Sequence, residues 1–394
     1  MKSQLNKILI VTLVILFFSL SKSYSIEDVT EFTDAINEAR EEFNDVPEAS
    51  TEQSKIIDEA LKEIDKATEY AQEAINRDNI EDAIKKSILG GINVIDSAIN
   101  YRAQKAERSV GNAISQLIDN DDISREEIFV STKNGYVTND GDIKEDLMQY
   151  VMREYGKTGI VKEGDISPGY HCMTLPYLND QLERSLKNLG LACIDLMYLH
   201  NSVEGQTHLP REQFLKNLKD VFDFYEKKRK QGKIRFYGMA TWECFRTTSE
   251  NPLFLQLSEV LDLAIQAGGK EHGFRFIQLP FNLMLDQAYI TKNHIVNGKT
   301  VSALEAAQKF NLGVFTSVPL MQGKLLTANI IPEFGNSSVS VRLLQFVRST
   351  PGITAPLIGH KSESHVKENM DIMKIPPLSE LEFNDLLKKM INKN

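Results

Sequence analysis

From about residue 80 onward, short apolar runs alternate with longer stretches of helical periodicity. Strands that alternate with helices are joined by crossover connections, which make the strands parallel. An open dinucleotide-binding sheet would need a Gly-x-Gly-x-x-Gly turn after an early strand, and the sequence has none. We therefore predict an α/β fold, a (β/α)8 TIM-type barrel. Seven strands are predicted, at residues 93–97, 128–132, 194–199, 235–240, 274–279, 313–317 and 355–358.

Three successive predicted strands end on an ionisable residue, namely Asp96, Lys133 and His200. Considered singly, each has a plain structural explanation: a helix cap, a solvated lysine and a hydrogen-bonded core histidine. In a parallel barrel, however, the carboxyl ends of the strands meet at one opening. Because buried ions are costly unless they interact with one another, the three together predict one chemical site.

Tyr101 follows Asp96 in the loop that leaves the same strand. A phenol is a weak acid, and a nearby ammonium group stabilises its ionised form. We therefore expect Lys133 to make Tyr101 a better proton donor, and Asp96 to keep the ammonium charged and oriented. His200 would donate to the same oxygen or to a substrate carbonyl. Such a group can deliver a proton to a carbonyl oxygen while the carbon receives a hydride.

The sequence resembles the aldo-keto reductase family over residues 85–370. By that resemblance, the four residues named above fill the catalytic tetrad with no position substituted. The matching segments, in the family's order, are residues 91–101, 131–133, 195–201 and 232–235, then Gly238, Gln278, Pro319 with Leu320, Gly323, and Glu368 with Asn369.

The resemblance also implies NADP as the cofactor, with NADPH as the hydride donor. The implied cofactor contacts are Gln278 for the nicotinamide amide, Leu320 and Gly323 for the loop over the pyrophosphate, Glu368 and Asn369 for the adenine, and Lys361 and Ser362 for a 2′-phosphate.

Two features depart from the family's pattern. Ser317 stands where the family usually places an aromatic ring against the nicotinamide. Upstream, the Gly-Thr strand that normally begins the barrel is not found, and acidic helices are predicted there instead. Three explanations remain open: the barrel lacks its usual first strand, another segment fills that place, or the amino-terminal gene model joins unrelated pieces.

The connection over residues 134–176 is long for a strand-to-helix loop. Long loops at the active end of a barrel often cover the substrate. We predict that this connection packs over the barrel mouth and acts as a substrate lid, and the two roles are compatible.

The amino-terminal residues 1–25 have the pattern of a secretory signal peptide: Lys2 and Lys7 precede an apolar run at 8–20, and small polar residues follow. A membrane-spanning helix needs about 20 residues, so no stable membrane span is expected. The pattern predicts the secretory pathway, either the lumen of the endoplasmic reticulum, an organelle reached through it, or a periplasm. If the amino terminus is wrongly assigned, the location would be cytoplasmic.

Residues 26–79 are predicted to form an acidic helical segment. Residues 27–86 contain 19 acidic and 7 basic side chains, a balance of 7 − 19 = −12 in a chain whose net charge is −10. An apolar stripe at 57–75 predicts that these helices pack on the barrel. The barrel is assigned to residues 80–375 and a tail to 376–394. The acidic balance excludes a nucleic-acid partner, and three scattered cysteines predict neither a metal site nor a disulfide framework.

Two functions remain open from the sequence. The first is NADPH-dependent reduction of a small aldehyde or ketone to an alcohol, with Tyr101 as the general acid, and the complete tetrad favours it. The second is a cofactor-binding or interaction protein with weak or no turnover on the same barrel, which the missing strand, Ser317 and the signal peptide favour.

Overall fold

The computed structural model describes residues 79–391, apart from positions 329, 334–336 and 361, together with the isolated positions 62 and 77. The predicted signal peptide and the apolar stripe lie outside these residues, as does most of the acidic segment. The chain divides into two units between Asp82 and Ala83.

The main sheet consists of seven parallel strands curled into a half-barrel. All seven predicted strands are present, and the predicted fold class is confirmed. Within residues 79–93 no strand precedes the first. The strands are β1 (Val94–Asp96), β2 (Phe129–Asn134), β3 (Ile194–His200), β4 (Ile234–Ala240), β5 (Phe274–Pro280), β6 (Lys292–Val296), β7 (Lys299–Ser302), β8 (Gly313–Ser317) and β9 (Ala355–Pro356), and the order in the sheet is β1-β2-β3-β4-β5-β8-β9.

Helices connect the strands, and the longer ones pack against the outer face of the sheet. They are α1 (residues 79–89), α2 (Lys105–Asp119), α3 (Leu147–Val151), α4 (Leu175–Leu189), α5 (Ser202–Gly205), α6 (Arg211–Lys230), α7 (Leu257–Gly268), α8 (Gln287–Ile290), α9 (Ala303–Lys309), α10 (Val339–Ser349), α11 (Glu363–Met370) and α12 (Glu380–Ile391). None of the helices in the described part of the chain is long and apolar enough to cross a membrane.

Helix α4 illustrates how the local sequence sets these elements. It begins with Pro176 in its first turn, where a missing N–H costs nothing, and it ends at Gly190 in the left-handed conformation. Leu178, Leu182 and Leu186, at four-residue spacing, are buried in the core between helices and sheet.

Strands β6 and β7 form a separate antiparallel hairpin that the sequence analysis does not predict. Its turn is Asn297-Gly298, with φ of 51° and 73°. Both residues thus adopt positive φ, as a type I′ hairpin turn requires. An Asn-Gly pair between two short apolar runs is a sequence signal for such a hairpin.

The connection between β2 and α4 has a hydrophobic core of its own, separate from the main one. We call residues 135–174 the insert. The buried members of this second core are Val137, Tyr150, Val151, Tyr155, Val161 and Cys172 from the insert, with Tyr177 from α4.

The segment assigned to a carboxyl-terminal tail contains α12. Phe383 on this helix is fully buried, and its ring stacks on Phe346 of α10 with centroids 5.7 Å apart. This part of the chain therefore contributes to the main core.

Candidate active site

The alternation of side chains along the strands decides which residues face the inside of the half-barrel. Leu196 and Tyr198 of β3 belong to the inner apolar cluster, whereas Met197 and Leu199 pack in the core against the helices. Because successive strand side chains point to opposite faces, His200 lies on the inner side.

The same alternation of inward and outward side chains holds for the neighbouring strands. Val94 precedes Asp96 by two residues, and Phe129 precedes Lys133 by four; both belong to the inner cluster. Strand β5 follows the same rule, with Phe276 inside and Gln278 two residues later. All these polar side chains therefore meet inside the carboxyl end of the sheet.

Lys133 is fully buried, and its ammonium group has two close acceptors. Its Nζ lies 2.5 Å from Asp96 Oδ2 and 2.8 Å from the carbonyl oxygen of Ser97. Burial alone would lower the pKa of Lys133, but the Asp96 carboxylate and the Tyr101 phenol outweigh it, so the pKa is raised. Lys133 is thus held as a buried cation.

Tyr101 lies beside this cation at the mouth of the half-barrel. Lys133 Nζ is 4.8 Å from the centre of its ring, and the Tyr101 side chain is 41% exposed. The next three residues, 102–104, have φ of 50°, 50° and 74°. Left-handed conformations at non-glycine residues are costly and occur at functional sites, so the turn after Tyr101 is held by the surrounding structure.

His200 stands edge-on to Tyr101, with ring centres 6.0 Å apart. Burial, the Lys133 charge and His171 lower the pKa of His200 well below its usual value, so the imidazole is neutral. Its Nδ1 is buried without a hydrogen-bond partner. A buried N–H without an acceptor is costly, so the proton belongs on Nε2. The structure therefore brings all four predicted catalytic residues together.

Two further side chains bind the Asp96 carboxylate. Gln278 donates from Nε2 to Asp96 Oδ1 at 3.1 Å, and the Ser131 hydroxyl donates to the same oxygen at 2.7 Å. Ser131 is not among the predicted site residues, although it lies two residues before Lys133 and therefore on the same side of the strand.

The remaining predicted cofactor contacts lie on two segments near the carboxyl ends of β8 and β9. Leu320 and Gly323 follow β8 in a turn where Gly323 has φ of 86°. Ser362 precedes α11 as its N-cap residue, and Lys361 lies outside the described residues.

Glu368 and Asn369 are both on α11. Glu368 accepts a hydrogen bond from the Ser340 hydroxyl at 2.6 Å, and Asn369 is buried. These two residues thus form a group of their own on the helix that follows β9.

The loop after β4 carries a feature that no sequence pattern indicated. Glu204 Oε1 accepts backbone hydrogen bonds from Trp242, Glu243 and Cys244 at 3.0, 2.6 and 3.3 Å. These bonds fix the loop and leave Trp242 43% exposed. Among the described residues, no group of three His, Cys, Asp or Glu side chains could hold a metal ion.

A family model described as the aldo/keto reductase family matches residues 66–343, which is more than two thirds of the chain. The chain belongs to the aldo/keto reductase family. A curated relative, the aldo-keto reductase yakc [NADP(+)] of Schizosaccharomyces pombe, is 33% identical over 124 residues, which are 32% of this chain and 26% of that protein. The match therefore spans about a quarter of that relative's length.

Solved structures of aldo-keto reductases share the fold. An aldo/keto reductase from Klebsiella pneumoniae in complex with NADP and acetate has a TM-score of 0.52 at 20% identity, covering 80% of this chain and 87% of that one. The holo form of an aldo-keto reductase from Bacillus halodurans has a TM-score of 0.50 at 18% identity, covering 78% and 86%.

Proposed function

We propose that this aldo-keto reductase reduces an aldehyde or ketone to an alcohol with NADPH as the hydride donor and Tyr101 as the general acid. One observation carries the proposal: the fully buried, charge-paired Lys133 places its ammonium 4.8 Å from the ring of the partly exposed Tyr101. A buried cation beside a phenol stabilises the phenolate that remains after proton transfer.

The residues around the site fit nicotinamide adenine dinucleotide phosphate. Gln278 is a buried amide on the inner face near Asp96, and it would bind the nicotinamide amide. The left-handed turn at Gln322 and Gly323 can turn backbone N–H groups toward a pyrophosphate. Ser362, at the start of α11, would meet a 2′-phosphate, and we place Lys361 with it. When bound, NADPH supplies the hydride.

In the chemical step, residues of the chain donate the proton and stabilise the charge that its transfer leaves behind. Tyr101 donates its hydroxyl proton to the carbonyl oxygen, and His200 donates a hydrogen bond from Nε2 to the same oxygen. Lys133 stays protonated and stabilises the phenolate, while Asp96 keeps the ammonium in place. Because the Tyr101 side chain is 41% exposed, the phenolate can regain a proton from solvent.

A second function has a specific observation in its favour. Ser317 ends β8 two residues beyond Phe315 on the inner face, and it offers no aromatic surface to a nicotinamide. A protein that binds the dinucleotide but turns over weakly or not at all would tolerate this substitution.

One experiment separates the two functions. Purified protein is titrated with NADPH while the fluorescence of Trp242, the sole tryptophan, is followed. The protein is then incubated with NADPH deuterated at the transferable position and a panel of aldehydes and ketones. We expect quenching, and deuterium on the carbinol carbon of at least one product. Quenching without any labelled alcohol would instead support the binding function.

A further inference from the structure

His171 is a buried histidine that the catalytic tetrad does not include. It lies in the insert, and its side chain is fully buried. Its Nε2 lies 2.8 Å from the carbonyl oxygen of His200, and its Nδ1 lies 2.9 Å from Gln206 Nε2. A carbonyl oxygen only accepts, so Nε2 carries the proton, and Nδ1 accepts from the Gln206 amide. Both ring nitrogens are therefore satisfied in one tautomer.

Two glycines make room for this ring. A Cβ atom at Gly135 would come within 2.4 Å of His171 Nε2, and a Cβ at Gly205 would come within 2.6 Å of its Cγ. Gly135 follows β2, and Gly205 ends the short helix after β3. The imidazole thus lies close to the backbone that follows each of the two strands carrying Lys133 and His200.

Tyr136 links the two histidines from the side. Its ring is edge-on to His171, with centres 5.4 Å apart, and edge-on to His200, with centres 5.0 Å apart. Asn201 donates to its hydroxyl at 3.3 Å. The backbones of Tyr136 and His171 also pair through an antiparallel bridge. Contacts from the insert therefore help to set the positions of His200 and Asn201.

The protonation state of His171 suits a fixed contact. Burial lowers its pKa to about 4, even though the bond to the His200 carbonyl opposes the shift. At neutral pH the ring is uncharged, and its full burial with both nitrogens hydrogen-bonded keeps it from contact with substrate. His171 can therefore act on the reaction only through the residues that it holds.

Resting on the function proposed above, we propose that His171 is a positioning residue: it fixes the His200 backbone and the Tyr136 ring and so sets the direction of the His200 imidazole toward the substrate carbonyl. It also anchors the insert to the barrel mouth at the end of β3. In this arrangement the insert is part of the active-site framework as well as a cover.

The test compares His171→Leu with His171→Gln. The glutamine amide can donate to the His200 carbonyl and accept from Gln206, whereas leucine can do neither. For His171→Leu we expect kcat to fall by roughly ten- to hundredfold, as small displacements of catalytic groups do, with NADPH affinity unchanged. His171→Gln should recover most of kcat. Tyr155→Phe, which alters the insert core away from His200, serves as the control and should keep the parental kcat.

A second readout does not depend on turnover. Long-range ¹H–¹⁵N spectra report the tautomer and environment of each of the seven histidines. We expect the His200 resonances to move in His171→Leu and to stay near the parental values in His171→Gln. If the parent protein is inactive toward every carbonyl but these shifts occur, the proposed function fails and the positioning role stands.

The positioning role would be overturned by a His171→Leu variant with parental kcat and unmoved His200 resonances. It would also be overturned if glutamine failed to restore either readout in a folded protein. Should His171→Leu not fold, Gly205→Ala replaces it, because the added methyl group presses on the ring that Gly205 accommodates. That variant should show the same loss of kcat and the same shift of the His200 resonances, and their absence would refute the proposal.

Discussion

At the scale of single residues, the site depends on one cation that burial alone would neutralise. Lys133 has no exposure to solvent, and the Asp96 carboxylate is its ion-pair partner. An ion taken out of water needs such a partner, and removal of one member of a buried pair leaves the other uncompensated. The chemistry and the stability of the site are therefore coupled through the same ion pair.

The first prediction concerns Tyr101→Phe. The change removes only the hydroxyl, so NADPH binding should persist while carbonyl reduction falls by roughly a hundred- to ten-thousandfold. Steady-state rates and the fluorescence titration measure the two effects separately. A Phe variant as fast as the parent would show that Tyr101 is not the acid.

The second prediction is a double-mutant cycle on Asp96 and Lys133. Asp96→Asn and Lys133→Met should each lower the free energy of unfolding by about 3 to 5 kcal/mol, since each leaves one buried group without its partner. The double variant should be more stable than the sum of the single losses implies. Urea denaturation measures all four proteins, and strictly additive losses would argue against a coupled buried pair.

At the scale of elements, the inner face of the sheet depends on close approach between strands. The pairing of β4 with β5 shifts register at Tyr237 and Gly238. A Cβ atom at Gly238 would come within 2.0 Å of the backbone oxygen of Phe276. Backbone cannot move aside as a flexible side chain can, so only glycine fits this position.

The third prediction follows for Gly238→Ala. We expect the variant to lose about 1 to 3 kcal/mol of stability or more, because the added methyl group forces the two strands apart. Gly359→Ala is the matched control, since a Cβ there meets nothing within 4 Å. Thermal denaturation of both variants checks this, and equal melting temperatures would contradict it.

At the scale of the whole molecule, buried histidines link stability to pH. The pKa values of His171, His200 and His294 are lowered, in each case chiefly by burial. Their folded-state pKa values lie below that of an unfolded histidine, near 6.5. The unfolded chain therefore binds more protons as pH falls, and the folded state loses stability below about pH 6.5.

The fourth prediction isolates one of these contributions. Buried Glu107 has a raised pKa, chiefly through burial, so its contribution to stability is lost as pH rises above about 4.5 and opposes that of the histidines. Glu107 is present in both the parent and His171→Gln, so its contribution cancels when the stabilities of the two proteins are compared. Between pH 7 and 5, urea denaturation should show a smaller loss of stability in His171→Gln. An identical loss would mean that His171 is not held neutral.

The fifth prediction concerns the amino terminus, for which the sequence is the sole guide. We propose that residues 1–25 are removed on entry to the secretory pathway, leaving a mature chain that begins near Ile26. Amino-terminal sequencing of protein from its native source checks this. Retention of Met1 to Leu20 would refute it.

The sequence by itself determined the strands and the residues at their ends. Short apolar runs and their alternation with helical stretches are local properties, so β1 to β5, β8 and β9 could be placed from them. Because parallel strands bring their carboxyl ends to one edge, the meeting of Asp96, Lys133 and His200 followed as well.

Only the tertiary structure decided the contacts between segments far apart in the chain. The pairing of Gln278 with Asp96, the bond from His171 to the His200 carbonyl, and the three amides held by Glu204 join residues that share no sequence periodicity. Such contacts depend on which loops meet when the sheet curls and the insert packs. Local sequence propensity does not determine these contacts, because only the packed core brings the groups within hydrogen-bonding distance.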